Sequence, residues 1–448
     1  MTYGGHARAV AVLGLPLVGG HLAQFAIGLT DTVMLGWYGV EALAAVTLAA
    51  SYFFVLFLMG AGFGWAVMPM VAAASAAGDD TSARRATRMG MWLSVLFCAV
   101  VIPLLIWSQP ILLALGQDPA VSEQAAAYLR LAGWGLFPAL LVVVLKSYLA
   151  ALERTQVVLW ITLGAALANG LANYMLIFGN WGAPELGIAG AAIASIVTQV
   201  LSLAAVVIYA LRALPEHNLF QRLWRADWEM FAKVFRLGVP IGLTSLSEVT
   251  LFTASAMMMG WLGTVPLAAH GIAVQLASAT FMVHLGLSNA ATIRAGNAFG
   301  RGDRAHMARG GVVVIAMSLV VSVATICLFL LLPEPLMSLF MELDDPARPE
   351  ILKIGVGLLA VAALFQLVDG AQVMALGLLR GVQDTGVPMV MAAVSYWVVG
   401  MPASYLLGFV LGWGGIGVWM GLVAGLACAG VLLMTRFWTR GINLSATA

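Results

Sequence analysis

Long apolar stretches, separated by short polar segments, dominate the sequence. Twelve of them approach or exceed the roughly 20 residues that a helix needs to cross a bilayer. None shows the alternation over about ten residues that is typical of a membrane barrel strand, so we predict twelve helices. The predicted spans are roughly 9–37, 42–76, 89–108, 125–151, 157–180, 186–212, 231–262, 265–298, 307–332, 350–380, 386–411 and 413–436.

Arginine and lysine fall mainly in alternate loops. They cluster in 84–88, 212–236 and 294–309, whereas the loops 179–186 and 263–266 carry none. The positive-inside rule then places the basic loops and both termini in the cytoplasm. We therefore expect a multi-pass protein of a bacterial-type inner (plasma) membrane.

The chain repeats itself at an offset of 224 residues. Gly14-Leu15-Pro16 matches Gly238-Val239-Pro240, and Gly78-Asp79 matches Gly302-Asp303. Both copies begin on the same side of the membrane, so the repeat is parallel and its pseudo-twofold axis lies along the membrane normal. Transporters are commonly built from such halves.

The repeat predicts an all-α integral membrane protein with two six-helix lobes. The predicted N-terminal lobe is 1–212 and the C-terminal lobe is 231–448. The linker 213–230 between them is either an amphipathic interfacial helix or a solvated loop, and the pattern fits both.

Composition supports the membrane assignment and excludes other classes. Hydrophobic residues make up 62% of the chain, charged residues make up 9%, and mean hydropathy is +0.99. A soluble domain carries about 25% charged residues. The formal net charge of +1 argues against a nucleic-acid partner. The three cysteines have no metal-binding or disulfide spacing.

Three carboxylates stand alone inside apolar spans: Asp31, Glu248 and Asp369. An ionised carboxylate at mid-bilayer costs at least about 2.5–3.5 kcal/mol on insertion scales, so such residues are usually functional. Each can take up a proton or contribute to a site for a hard cation such as Na⁺. We predict cation coupling at these residues, with transient Na⁺ at Asp31 or at Glu248 and Asp369, and no tightly bound metal.

Other polar residues inside the spans allow more than one interpretation. Asn169 and Asn173 are one turn apart on one helix face and point inward, as does Thr198 in the next span. They either bond to neighbouring helices or contribute to a site. Lys146 either extends to the interface or lines a site. A candidate substrate cavity is assigned to Phe53, Phe54, Trp65, Met257, Phe281 and Gln366.

Three motifs in these spans resemble a known family. They are Asp31-Thr32-Val33-Met34-Leu35-Gly36, the span-seven and -eight run 247–270 with Gly260-Trp261-Leu262-Gly263, and the span-ten run 365–385. Together they resemble multidrug and toxic compound extrusion (MATE) transporters of the NorM-type branch, over nearly the whole chain.

The resemblance implies a transporter that exports cationic or amphiphilic organic compounds by antiport with Na⁺ or H⁺, without a cofactor. It implies that Glu248 and Asp369 couple the ion in the C-terminal lobe. The implied N-terminal cation ligands are Asp31, Asn169, Asn173 and Thr198. Family members can have Asp where Asn173 stands, so this site has one charge fewer. We expect a monomer surrounded by lipid.

Two other functions fit the sequence less well. A flippase or exporter of lipid-linked or other amphiphilic metabolites within the same superfamily would hold phosphates with several arginines, and none is seen at depth. An intramembrane enzyme, ranked lower, would need paired catalytic groups, yet the three carboxylates lie singly on three spans. ATP drive would need a phosphate-binding G-x-x-x-x-G-K-[ST] loop, which the sequence lacks.

The topology predicts that the loop containing Arg84, Arg85 and Arg88 faces the cytoplasm. Ser82→Cys is introduced into a variant in which the three native cysteines are replaced. In intact cells, the new cysteine should not react with a membrane-impermeant maleimide. It should react once the cells are permeabilised. Labelling of intact cells would reverse the orientation.

Overall fold

The computed structural model describes residues 1–444 and forms helices throughout that range, joined by turns, with no strand in it. It has twelve helices long and apolar enough to cross a membrane, which confirms the predicted number. They are α1 (Tyr3–Tyr38), α2 (Val40–Ala76), α3 (Asp80–Ile106), α4 (Pro119–Ala151), α5 (Thr155–Phe178), α6 (Ile188–Ala213), α7 (Trp228–Leu262), α8 (Thr264–Arg301), α9 (Arg304–Leu331), α10 (Arg348–Gly381), α11 (Gly386–Val410) and α12 (Gly414–Asn443).

The 224-residue repeat reappears in the helix boundaries. Gly78 and Gly302 have positive φ angles of 74° and 66° and end α2 and α8. Asp79 and Asp303 follow them, and each carboxylate accepts the backbone N–H three residues later, at 3.0 and 2.9 Å. The carboxylate occupies a donor that the first helical turn leaves unpaired. Equal local sequence thus starts α3 and α9 in the same way.

The linker between α6 and α7 contains one 3-10 turn, Pro215–His217, followed by turns and irregular chain, and no long helix. Residues 219–224 are turns, and Trp224 is exposed. Arg88 and Trp92 of α3 donate to the carbonyl oxygens of Leu219 and Leu223, at 2.7 and 2.6 Å. The linker is therefore fixed to α3 by its backbone, which the amphipathic pattern did not reveal.

An ion pair joins the end of this linker to α3. Arg85 Nε donates to the Asp227 carboxylate at 2.5 Å, one residue before α7 begins. The guanidinium holds the pKa of Asp227 below its ordinary value. The start of α7 is thereby attached to α3.

The chain divides into two compact units, and both points of division lie inside helices. Unit 1 contains Met1–Val18 and Thr244–Ala448, and unit 2 contains Gly19–Leu243. Both divisions follow shortly after an internal proline, Pro16 in α1 and Pro240 in α7. Proline removes one helical hydrogen bond, so each division falls where the helix is weakest. The predicted lobes 1–212 and 231–448 stay a prediction about which helices move together.

Glycines at equivalent positions let helices approach closely in each unit. In unit 2, a Cβ added to Gly62 of α2 would lie 2.7 Å from the backbone nitrogen of Gly242 in α7. In unit 1, a Cβ added to Gly286 of α8 would lie 2.6 Å from the backbone nitrogen of Val18 in α1. Both pairs are related by the 224-residue offset. Small residues are what membrane helices use where backbones touch.

Helices α8 and α10 form a polar seam inside unit 1. Ser288 donates to the carbonyl oxygen of Val373 at 2.8 Å, and Thr292 donates to that of Gly377 at 2.9 Å. Hydroxyl groups of this kind hold membrane helices together where lipid offers no partner. The seam fixes the rotation of α10, and α10 carries Asp369.

The close approach at Gly62 predicts that Gly62→Ala destabilises the protein. The added methyl must displace the backbone of α7, and overpacking of this kind costs about 1–3 kcal/mol. The matched control is Gly164→Ala on α5, where a Cβ meets nothing within 4 Å. Thermal unfolding of the purified variants should show a lower midpoint for Gly62→Ala alone. Equal midpoints would contradict the close approach.

Candidate functional site

In unit 2, Asp31 of α1 meets the polar face of α5. The side-chain amide of Asn173 donates to Asp31 Oδ1 at 2.5 Å and lies 3.3 Å from Asn169 Oδ1. Asn169 and Asn173 are both buried, and Asn173 Oδ1 has no hydrogen-bond partner. Three of the predicted N-terminal ligands therefore lie together, and the Asn173 side-chain oxygen among them accepts no hydrogen bond.

Thr198, the fourth predicted ligand, is buried on α6. Its hydroxyl donates to the carbonyl oxygen of Ala194 one turn earlier, at 2.8 Å. Within residues 1–444, no hydrogen bond joins Thr198 to Asp31. The geometry thus groups Asp31 with α5 and leaves Thr198 bonded within its own helix.

In unit 1, Glu248 of α7 is held by α10 and α11. The Gln372 amide nitrogen donates to Glu248 Oε1 at 3.2 Å, and the Tyr396 hydroxyl donates to Gln372 Oε1 at 2.5 Å. Because Tyr396 occupies the amide oxygen, the N–H₂ end of Gln372 faces the carboxylate. Tyr396 therefore sets the orientation of the group that binds Glu248.

Asp369 lies one turn before Gln372 on α10 and is 3% exposed. Its Oδ1 atom has no hydrogen-bond partner. Asp369 and Glu248 are close enough to interact electrostatically, as are Glu248 and Arg380 at the end of α10. Two carboxylates thus share one buried region of unit 1. The sequence pattern showed no arginine at depth, so it did not reveal Arg380 as a neighbour of Glu248.

A wider helical turn brings Tyr396 into this region. Residues Ser395–Gly400 of α11 form a π-helical segment, which shifts the register of the side chains that follow. Tyr396 is fully buried. Tyr396 was not among the site residues predicted from the sequence. The spacing of Gln372 from Asp369 was the available signal for Gln372, but no local pattern marks a π-helical turn.

The six candidate cavity residues have different environments, and their role in a cavity stays a prediction. Phe53 and Trp65 pack against the hydrophobic core of unit 2, and Phe54 is 45% exposed. In unit 1, Met257 is 60% exposed, and Phe281 is half-buried. Gln366 is fully buried, and its amide donates to the carbonyl oxygen of Ala277 at 3.4 Å.

The arrangement suits reversible binding of a small cation. No group of three or more His, Cys, Asp or Glu side chains that would hold a metal ion occurs in the described part of the chain. Carboxylate and amide oxygens are ligands for hard cations, and a carboxylate also accepts a proton. Buried polar atoms without a partner call for a specific explanation, and a transient cation provides one for Asn173 and Asp369.

Twelve membrane helices, with a buried carboxylate in unit 1 and a half-buried one in unit 2, define an α-helical membrane transport protein. The MatE family model matches residues 16–175 and 240–406, so the chain belongs to the MatE family. The family consists of transporters, so this chain is a transporter and not an enzyme. The predicted resemblance is confirmed.

Two curated relatives cover nearly the whole chain. "Probable multidrug resistance protein NorM" of Rhizobium meliloti (strain 1021) is 44% identical over 436 residues, covering 97% of this chain and 93% of its own length. The protein of the same name from Agrobacterium fabrum (strain C58 / ATCC 33970) is 44% identical over 434 residues, covering 96% and 93%.

Solved structures share the fold at low sequence identity. The crystal structure of the eukaryotic MATE transporter AtDTX14 superposes with a TM-score of 0.87 at 18% identity, covering 98% of this chain and 97% of its own. The structure of MATE in complex with MaL6 gives a TM-score of 0.89 at 19% identity, with the same coverage. The fold class is therefore confirmed.

The geometry around Glu248 predicts that Tyr396→Phe impairs transport. Without the hydroxyl, the Gln372 amide loses the bond that orients it, and leaving a buried acceptor unpaired costs about 1–3 kcal/mol, which corresponds to about 5- to 150-fold in rate. Tyr405→Phe on the same helix is the control, because Tyr405 is 51% exposed. Initial efflux rates in vesicles should fall for Tyr396→Phe alone. Unchanged rates would mean that Tyr396 does not orient Gln372.

Proposed function

We propose that this transporter exports cationic or amphiphilic organic compounds by antiport with Na⁺ or H⁺. Its relatives are described as multidrug resistance proteins, which supports small organic substrates. The proposed coupling residues are Glu248 and Asp369 in unit 1 and Asp31 in unit 2. Asn169, Asn173 and Thr198 are the proposed further ligands in unit 2.

One observation carries the proposal: each unit has a carboxylate site that includes a buried oxygen atom without a hydrogen-bond donor. The atoms are Asp369 Oδ1 in unit 1 and Asn173 Oδ1 beside Asp31 in unit 2. A permanent partner such as lysine would neutralise the carboxylate and close the site. A neutral amide leaves the charge available for an exchangeable cation.

Competition for these carboxylates produces antiport. In a medium of low effective dielectric, an ionised carboxylate attracts a drug cation or a coupling ion strongly, and both compete for the same charge. Entry of Na⁺ or H⁺ removes that attraction, so the drug cation is released. Net transport further requires that each ligand binds the two access states with different affinity.

The arginine distribution supports an inner-membrane protein with both termini in the cytoplasm. We propose that it acts as a monomer in the lipid bilayer, since each carboxylate site is built from side chains of one chain. The candidate cavity residues Phe54 and Met257 are exposed and apolar, which suits contact with amphiphilic substrates.

The proposal predicts gradient-driven efflux that depends on the unit 1 carboxylates. Proteoliposomes loaded with a fluorescent organic cation are given a pH gradient in one experiment and a Na⁺ gradient in another. At least one of the two gradients should drive export of the dye. Glu248→Gln and Asp369→Asn keep the size of each side chain and remove the charge. Each should lower the rate by about tenfold or more, because one buried charge interaction of about 1.4 kcal/mol or more is lost.

Glu334→Gln is the matched control, since Glu334 is exposed in a short loop helix. It should transport at the wild-type rate, and all variants should insert at similar levels. Efflux that neither gradient drives would contradict antiport. Normal efflux by both unit 1 variants would contradict coupling at Glu248 and Asp369.

A further inference from the structure

A half-buried lysine lies in unit 2, apart from the carboxylate sites. Lys146 is near the end of α4, and its ammonium donates to the hydroxyl oxygen of Thr162 in α5 at 2.8 Å. Thr162 is buried and donates its own hydrogen to the carbonyl oxygen of Val158 at 2.8 Å. The threonine oxygen is therefore an acceptor that directs Lys146 towards α5.

Within residues 1–444, no carboxylate oxygen lies within 4.0 Å of the Lys146 ammonium nitrogen. Lys146 therefore forms no ion pair with this part of the chain. An ammonium has three donors, and the contact with Thr162 uses one. His21 of α1 lies close enough to interact electrostatically with Lys146, and both side chains are half-buried. A neutral hydrogen-bond donor would be enough to join α4 to α5. The positive charge of Lys146 therefore requires another explanation.

The ammonium lies at one end of a polar face that leads to Asp31. Thr162, Asn169 and Asn173 are all buried on α5. Their spacings of seven and eleven residues put Asn169 and Asn173 about 20° to either side of Thr162 on one helix face, and Thr162 and Asn173 are about 16 Å apart along the axis. This face therefore has a cationic group near one end and an anionic group near the other.

We propose that Lys146, Thr162 and His21 form a subsite in unit 2 that binds the anionic group of a substrate, such as a carboxylate or sulfonate on an aromatic amphiphile. Lys146 supplies the charge and the remaining N–H donors, Thr162 fixes the ammonium, and His21 adds a second polar side chain. The rest of the ligand lies along the α5 face towards Asn169. This inference rests on the proposed export of small organic compounds and names a group that the subsite recognises.

Two dyes that differ in one group provide the test. Rhodamine 110 has a free carboxylate, and rhodamine 123 is its methyl ester with the same ring system. Their binding to the purified full-length protein is measured by fluorescence anisotropy without any ion gradient. Lys146→Gln keeps a donor for Thr162 and removes the charge, Lys146→Arg keeps the charge, and Lys353→Gln is the control outside the subsite.

Lys146→Gln should weaken rhodamine 110 binding about tenfold more than rhodamine 123 binding, as expected for losing a charge-assisted hydrogen bond. Lys146→Arg should largely retain the wild-type ratio of the two affinities, and Lys353→Gln should retain it fully. The ratio is informative because general damage to the fold weakens both dyes together. Thr162→Val provides a second variant, which should shift the ratio in the same direction as Lys146→Gln.

An unchanged ratio in Lys146→Gln and Thr162→Val, or wild-type protein that does not bind rhodamine 110, overturns the subsite. These outcomes are separate from the proposed antiport. If rhodamine 123 is exported under an ion gradient while the ratio stays unchanged, the subsite fails and the antiport stands. If the ratio shifts but neither gradient drives export, the subsite stands and the antiport fails.

Discussion

Charge inside a membrane helix must be satisfied by the protein itself, and in both units an amide does so. Asp31 accepts from Asn173, and Glu248 accepts from Gln372. An amide lowers the cost of burying the carboxylate without cancelling its charge. The helices that carry these amides must therefore keep a fixed rotation, and much of the surrounding packing maintains it.

The rotation is maintained by backbone contact and by hydroxyl groups. Gly286 brings α8 against α1, and Ser288 and Thr292 of α8 bond to carbonyl oxygens of α10. α10 then presents Asp369 and Gln372 on one face towards Glu248. A methyl group at Gly286 would move α8 and so affect the carboxylate site through α10.

The two units use one scaffold for different charge arrangements. The 224-residue offset pairs Glu248 with Gln24 and Asp31 with Ser255, so the carboxylates are not at equivalent positions. Unit 1 has two interacting carboxylates, whereas unit 2 has one carboxylate and a half-buried lysine. The duplicated fold supplies equivalent helices, and substitutions on them give each unit its own chemistry.

Features that depend on nearby residues were determined by the sequence alone. The twelve spans follow from runs of apolar residues, and the Gly-Asp boundaries of α3 and α9 follow from bonds across three residues. The sequence also showed that Asp31, Glu248 and Asp369 are isolated in apolar stretches. The cost of burying a charge depends on the span that contains it, so these three residues could be singled out without a structure. The family resemblance came from the sequence motifs around these three carboxylates.

Tertiary structure decided which polar groups meet. Gln366 and Gln372 are each three residues from Asp369, and helical periodicity alone treats them alike. Only packing rotates Gln372 towards Glu248, while Gln366 bonds to the carbonyl oxygen of Ala277. Likewise, the π-helical turn at Tyr396 and the contact between Lys146 and Thr162 depend on how neighbouring helices pack. Hydrophobic periodicity specifies that a helix crosses the membrane, but its rotation and partners are set by contacts between residues far apart in the chain.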